Sequence, residues 1–126
     1  MFVTGIDHLQ LAAPPGCEQD ARTFFVGLLG FEEIEKPEAL RARGGCWFRA
    51  GDRQLHIGVE RDFKPAKKAH PAFSVRQIED LFAKLASAGA RCAWDEMLPG
   101  GVKRFYADDP WGNRLEFTEP TDCSPR

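Results

Sequence analysis

Residues 104–117 read RFYADDPWGNRLEF. Phe105 and Ala107 alternate with Arg104 and Tyr106, and after a gap Leu115 and Phe117 alternate with Arg114 and Glu116. A period of two sends successive side chains to opposite sides of a strand, so each run reads as a half-buried strand. Between them lies Asp109-Pro110-Trp111-Gly112-Asn113. Proline presets φ, glycine accepts positive φ, and Asp and Asn bond to nearby backbone, so this stretch is a turn. The stretch is therefore two strands, 102–107 and 113–119, with one apolar face. The opposite face carries Arg104, Tyr106 and Glu116.

Upstream, residues 90–94 are a third short strand candidate. Residues 76–88 place Ile78, Leu81, Phe82 and Leu85 at helical spacing, and Gly89 closes them. Residues 69–75, AHPAFSV, read as another strand. The order is βαβββ. Before it lies a polar connector, RDFKPAKK at 61–68, and before that the plan occurs once already. Residues 3–13 are a strand broken by Pro14-Pro15-Gly16. Residues 17–29 are a helix with Phe24, Phe25, Leu28 and Leu29 on one side, ended by Gly30. Strands at 31–35, 45–50 and 53–60 follow, the last two joined at Gly51-Asp52. The expected fold is α+β: two βαβββ modules, about 1–62 and 63–120, with a short C-terminal tail. Their mixed sheets pair and cup, with helices on the outer face.

The histidines keep the repeat's register. His8 and His70 lie 62 residues apart (70 − 8) in the first strands, and His56 and Glu116 lie 60 apart (116 − 56) in the last strands. Alternation gives the same answer four times. Leu9 and Leu11 oppose His8, Gln10 and Ala12. Leu55, Ile57 and Val59 oppose Gln54, His56 and Gly58. Phe73 and Val75 oppose His70, Ala72 and Ser74. Leu115 and Phe117 oppose Arg114, Glu116 and Thr118. All three histidines of the chain, with one carboxylate, fall on the polar face. Imidazole and carboxylate donors suit a divalent Fe, Mn, Ni, Co or Zn ion. Arg49 and Arg104 on that face are candidates to hold a substrate anion, and Trp47 is a candidate pocket wall.

Composition narrows the partners. Seventeen Lys and Arg against nineteen Asp and Glu give a net charge of −2, which speaks against nucleic acid or an anionic membrane as partner. No apolar run approaches the roughly 18 residues of a membrane span. MFVTGIDHLQ lacks the features of a leader peptide, so a cytoplasmic location is expected. Cys17, Cys46, Cys92 and Cys123 form no CxxC pair and read as reduced structural thiols.

GIDHLQLAAP, ARTFFVGLLGFE, AHPAFSV and above all RFYADDPWGNRLEF together resemble the vicinal-oxygen-chelate superfamily, which includes glyoxalases, bleomycin-resistance proteins and extradiol dioxygenases. The resemblance spans roughly 4–120 and implies one divalent metal. The extradiol-dioxygenase and fosfomycin-transferase pattern transfers to His8, His70 and Glu116, leaving positions open for substrate. The glyoxalase I pattern adds His56 as a fourth ligand, where that enzyme carries a carboxylate or amide. In dioxygenases a histidine near the place of His56 is an acid–base group, and a tyrosine ten residues before the glutamate lies near the metal; Tyr106 stands ten before Glu116 (116 − 106). His56, Glu116 and Tyr106 are thus the catalytic candidates. Gln10 joins Arg49, Arg104 and Trp47 as a substrate-contact candidate; it stands where fosfomycin transferases place threonine. The implied function is a metal-dependent lyase, isomerase or dioxygenase acting on a small vicinally oxygenated molecule. The alternative is a metal-free, drug-sequestering protein of the bleomycin-resistance kind. Relatives of this size pair as homodimers, and some share the metal between chains. His8 and His56 would then come from one chain, with His70 and Glu116 from the other.

Overall fold

A computed structural model describes residues 1–95 and 101–120. The chain divides into two compact units, Met1–Pro65 and Ala66–Arg126. Each holds one four-stranded mixed sheet of the same topology.

In the first unit the strands are β1 (His8–Ala13), β2 (Glu32–Ile34), β3 (Cys46–Ala50) and β4 (Arg53–Val59), in sheet order β1-β4-β3-β2. β1 runs parallel to β4, and the other neighbours are antiparallel. Helix α1 (Glu18–Ala21) passes directly into a π-helical segment, Arg22–Leu28. The apolar positions of the alternation make the core: Leu11, Ala13, Phe48, Leu55 and Ile57 meet Ala21, Phe24 and Phe25, all buried. Phe25 packs on Phe48 with ring centroids 5.6 Å apart.

The second unit repeats the plan with β5 (Ala72–Ser74), helix α3 (Ile78–Ser87), β6 (Cys92–Trp94), β7 (Lys103–Asp108) and β8 (Arg114–Glu119), in order β5-β8-β7-β6. β5 is parallel to β8. Helix α3 lies on β6, β7 and β8. Its Ile78 and Leu85 are fully buried, as are Phe105, Leu115 and Phe117 of the sheet.

Several expectations shift. The strand expected over 3–13 starts only at His8, because His8 pairs with Gln54 and β4 itself begins at Arg53, so nothing remains to partner residues 1–7. The strand expected over 69–75 shrinks to Ala72–Ser74, so His70 lies two residues ahead of β5 rather than within it. Pro71 between them has no N–H to give a ladder, although its carbonyl accepts from the Glu116 N–H at 3.0 Å. The helix expected over 17–29 is α-helical only at its start. The wider π turn, with Phe31 N–H bonded to the Phe25 carbonyl after the last coil, lets the adjacent Phe24 and Phe25 both stay buried. A four-residue helix, α2 (Glu38–Arg41), stands where no element was expected; it is too short to carry a period. Of the cysteines, Cys17 and Cys46 are buried free thiols and Cys92 is half-buried and free. Burial pushes the Cys46 thiol up to about 11, which suits a structural role. Cys123 and the C-terminal tail lie outside the described residues.

Candidate functional site

The repeat's register holds in space. Gln10 pairs with His56 in the first unit, and Ala72 pairs with Glu116 in the second. Trp47 pairs with His56, and Tyr106 pairs with Glu116. Each sheet therefore brings an aromatic residue and a candidate ligand side by side on its polar face.

In the first unit the three adjacent strands β1, β4 and β3 build a stack of rings. His56 lies parallel to Trp47, centroids 3.8 Å apart and planes within 1°. On its other side His8 stacks at 4.2 Å. His56 is buried, and its Nε2 meets the Gln54 side-chain oxygen at 2.9 Å. Burial first, and then the neighbouring His8, push its pKa below the ordinary histidine value. With Nε2 turned to the Gln54 side-chain oxygen, Nδ1 is the ring nitrogen left to exchange a proton. His8 is exposed and places Nδ1 2.9 Å from the Asp7 carboxylate, a contact that fixes the ring's other nitrogen, Nε2, as the one turned elsewhere. Gln10 lies over Gly58: a Cβ built on Gly58 would stand 2.6 Å from the Gln10 amide nitrogen. Arg49 is on this face, but its guanidinium binds Glu32 on β2 at 2.8 Å.

In the second unit the centre is Glu116. One carboxylate oxygen lies 2.9 Å from His70 Nε2, and the other lies 3.4 Å from Arg104. Arg104 also binds Asp95. His70 places Nδ1 2.8 Å from the Lys68 carbonyl oxygen. A carbonyl can only accept, so Nδ1 donates there and Nε2 is the nitrogen that faces a carboxylate oxygen. A proton on Nε2 makes this contact a hydrogen bond or ion pair; a metal cation between the two would take that proton's place. This donor arrangement fits a divalent cation: an imidazole nitrogen and a carboxylate oxygen presented together, the imidazole oriented by a backbone carbonyl. Tyr106 stands beside them, its ring edge-on to His70 at 5.7 Å, with the Arg114 guanidinium 3.9 Å above its face.

The turn between β7 and β8 fixes this half of the site. Asp109 and Asn113 are buried. Asp109 accepts from the Trp111 and Asn113 backbone N–H groups at 3.0 and 2.8 Å and from the Asn113 amide at 2.8 Å. Asn113 in turn accepts from the Ala66 N–H at 2.9 Å. The turn thus clamps the strand carrying Glu116 to the segment leading to His70.

The four candidate ligands therefore appear as two pairs, His8 with His56 and His70 with Glu116, one in each unit. Among the described residues no group of three or more His, Cys, Asp or Glu side chains is assembled for a metal. The sequence reading passed over three residues here. Gln54 and Arg114 lie on the polar face by the same alternation that singled out His56 and Glu116. Asp95 follows a strand end, where no period announces it.

Residues 5–117 match the family model described as the Glyoxalase/Bleomycin resistance protein/Dioxygenase superfamily. No curated protein matches the chain. Among solved structures, a glyoxalase family protein from Bacillus anthracis is 50% identical, with a TM-score of 0.90 over 96% of this chain and 98% of that one. A lactoylglutathione lyase from Agrobacterium tumefaciens shares the fold at 16% identity, with a TM-score of 0.73 over 94% and 96% of the two chains. A fosfomycin resistance protein variant from Listeria monocytogenes, complexed with Mn(II) and dihydroxypropylphosphonic acid, does so at 16% identity, with a TM-score of 0.80 over 95% of each.

Proposed function

The chain belongs to the glyoxalase/bleomycin resistance protein/dioxygenase superfamily, and from that premise we propose that it is a metal-dependent enzyme acting on a small, vicinally oxygenated substrate, as a lyase, isomerase or dioxygenase. The observation that carries this reading is the pairing of His70 Nε2 with Glu116 Oε1 at 2.9 Å, an imidazole nitrogen and a carboxylate oxygen presented together on one sheet face. His8, His70 and Glu116 are the proposed ligands of one divalent ion, with His56 as fourth ligand or as the proton-transfer group. The manganese-bound fosfomycin resistance protein supports metal use on this fold. A bound divalent ion would polarise a substrate oxygen and make an adjacent O–H or C–H more acidic.

The chain's own groups supply the rest. Burial pushes the His56 pKa below the ordinary histidine value, and the flanking Trp47 and His8 rings hold it flat, so Nδ1 is positioned to accept a proton. Glu116 is held at both oxygens, by His70 and by Arg104, so its direction is set before substrate arrives. Tyr106 offers a hydroxyl on the same sheet face. The working form is proposed to be a homodimer, because Met1, Phe2, Val3 and Ile6 all stand exposed on one short segment, an apolar run suited to burial against a second copy.

Metal content of untagged protein, measured by mass spectrometry, tests the proposal. One transition metal per chain is expected, together with its loss in Glu116→Ala. Protein that takes up no Fe(II), Mn(II), Ni(II), Co(II) or Zn(II) would overturn the enzyme reading in favour of metal-free ligand sequestration.

A further inference from the structure

Sequence reading names Arg49 and Arg104 as the cations for a substrate anion. Both are engaged in the structure: Arg49 by Glu32, and Arg104 by Asp95 and Glu116. Each of these guanidinium groups is already matched by at least one carboxylate, so neither brings surplus positive charge to a ligand. Unengaged positive charge lies elsewhere. Within the second unit a cleft of about 480 Å³ is lined by Lys67, Arg91, Cys92, Tyr106, Asp108 and Arg114, among others. Its size is that of a small-molecule pocket. It holds three cations against one carboxylate. Lys67 lies 3.8 Å from that carboxylate, Asp108, and donates to the Gly112 carbonyl at 2.6 Å. Among the described residues neither Arg91 nor Arg114 has an ion-pair partner. Arg114 instead sits over the Tyr106 ring, its Cζ 3.9 Å from the centroid, so an aromatic face rather than a carboxylate props it.

We propose that this cleft is a subsite for an oxyanion group (phosphate, phosphonate or carboxylate) carried by the substrate, with Arg91 and Arg114 as its binding residues. The inference rests on the enzyme reading for its placement. Tyr106 lines the cleft and is the cross-strand partner of Glu116, so an anion held there lies next to the residue proposed to bind metal. Arg114 and Tyr106 orient the anionic end, and the reacting oxygens extend toward Glu116. The substrate class is then a vicinally oxygenated small molecule bearing a negative charge.

The test uses the full chain after treatment with a chelator, so that no metal can hold the probe. Inorganic phosphate, and separately acetate, are titrated at constant ionic strength while the arginine Nε–H signals are followed by NMR. Saturable shifts at Arg91 and Arg114 are expected, and the two probes show whether the phosphate or the carboxylate class is preferred. Arg91→Gln and Arg114→Gln should each weaken binding by roughly tenfold, and Lys103→Gln, an exposed cation paired with Glu79 outside the cleft, should not. Arg91 is exposed, so its variant tests the idea even if Arg114→Gln disturbs folding. Shifts that never saturate, or that persist equally in Arg91→Gln, overturn the subsite. Phosphate binding by a protein that takes up no metal would keep the subsite and remove the enzyme reading; metal uptake with no anion binding would do the reverse.

Discussion

The orientation of the His70 ring follows from one backbone carbonyl. Lys68 O accepts the Nδ1 proton at 2.8 Å, and the other nitrogen is left facing Glu116. At the same scale, Asn113 carries much of the site's rigidity. It is fully buried and bonds Ala66 and Asp109, residues on either side of the segments bearing His70 and Glu116. Asn113→Ala leaves the Ala66 N–H and an Asp109 oxygen short of partners. It should cost about 1–3 kcal/mol for each group left unsatisfied, read as a lower urea midpoint. Asp109 is pushed above the ordinary aspartate range chiefly by burial, while its bonds from Asn113 pull the other way, so losing Asn113 also raises the cost of keeping Asp109 ionised. The turn chemistry of Asp109 and Asn113 was readable from residue type. The bond to Ala66, 47 positions away, was not.

Among the elements, helix α3 shows how a distant strand can complete a local structure. Its N-cap, Gln77, has a left-handed φ of 53° and no capping bond from its own side chain. The Glu119 carboxylate on β8 caps it instead, accepting from the Gln77 and Ile78 N–H groups at 3.1 Å each. A carboxylate at this end also complements the helix dipole. Glu119→Ala should destabilise the protein by about 0.5–2 kcal/mol, measured by thermal or urea unfolding with α3 amide exchange speeding up first. In the first unit Glu18 does related work. Its carboxylate accepts from the Gly45 N–H at 2.7 Å. Gly45 has φ +86°, and a Cβ there would stand 2.0 Å from the Ile57 carbonyl oxygen, so only glycine fits. The Gly45 bond is the main reason the Glu18 carboxyl titrates below the ordinary glutamate range. The sign follows. The unfolded chain binds the Glu18 proton first as pH falls, so the stability this bond gives is fully present above the unfolded value of about 4.3 and is lost as pH drops through the lower folded value. Glu18→Gln should flatten that acid limb in urea denaturation series taken at stepwise lower pH; an unchanged acid slope would count against it.

For the whole molecule, the two units share one plan because the same alternation was written twice. Apolar positions near the middle of both sheets, Leu11, Leu55 and Ile57 in one and Phe105, Leu115 and Phe117 in the other, are buried. The exposed apolar segment Met1–Ile6 belongs to this scale, since nothing in its own unit pairs with it. If the working form is a homodimer, Phe2→Ser with Ile6→Ser should move the protein toward monomer in sedimentation velocity. A wild-type protein that sediments as a monomer across concentrations would sink the dimer reading. Metal measured along the same dilution series tests whether the ligands are shared between chains: loss of metal on forming monomer supports sharing, and a metal-bound monomer excludes it.

By itself the sequence determined the fold class, the two-fold repeat, and the strand face on which His8, His56 and Glu116 lie. Each is a consequence of local rules: a period of two along a strand, a period near 3.6 along a helix, and turn residues with restricted backbone angles. Only the tertiary structure decided which of those side chains have charge or lone pairs left to use. Arg104 and Arg114 are alike on the page, both arginines on the polar face of adjacent strands. Yet Asp95 and Glu116 neutralise the first, while an aromatic ring merely props the second. The same holds for His56, whose pKa is pushed down first by burial and then by the neighbouring His8. Ion pairs, stacks and burial depend on which residues meet across strands, and that meeting is set by sheet register and packing between segments remote in the chain.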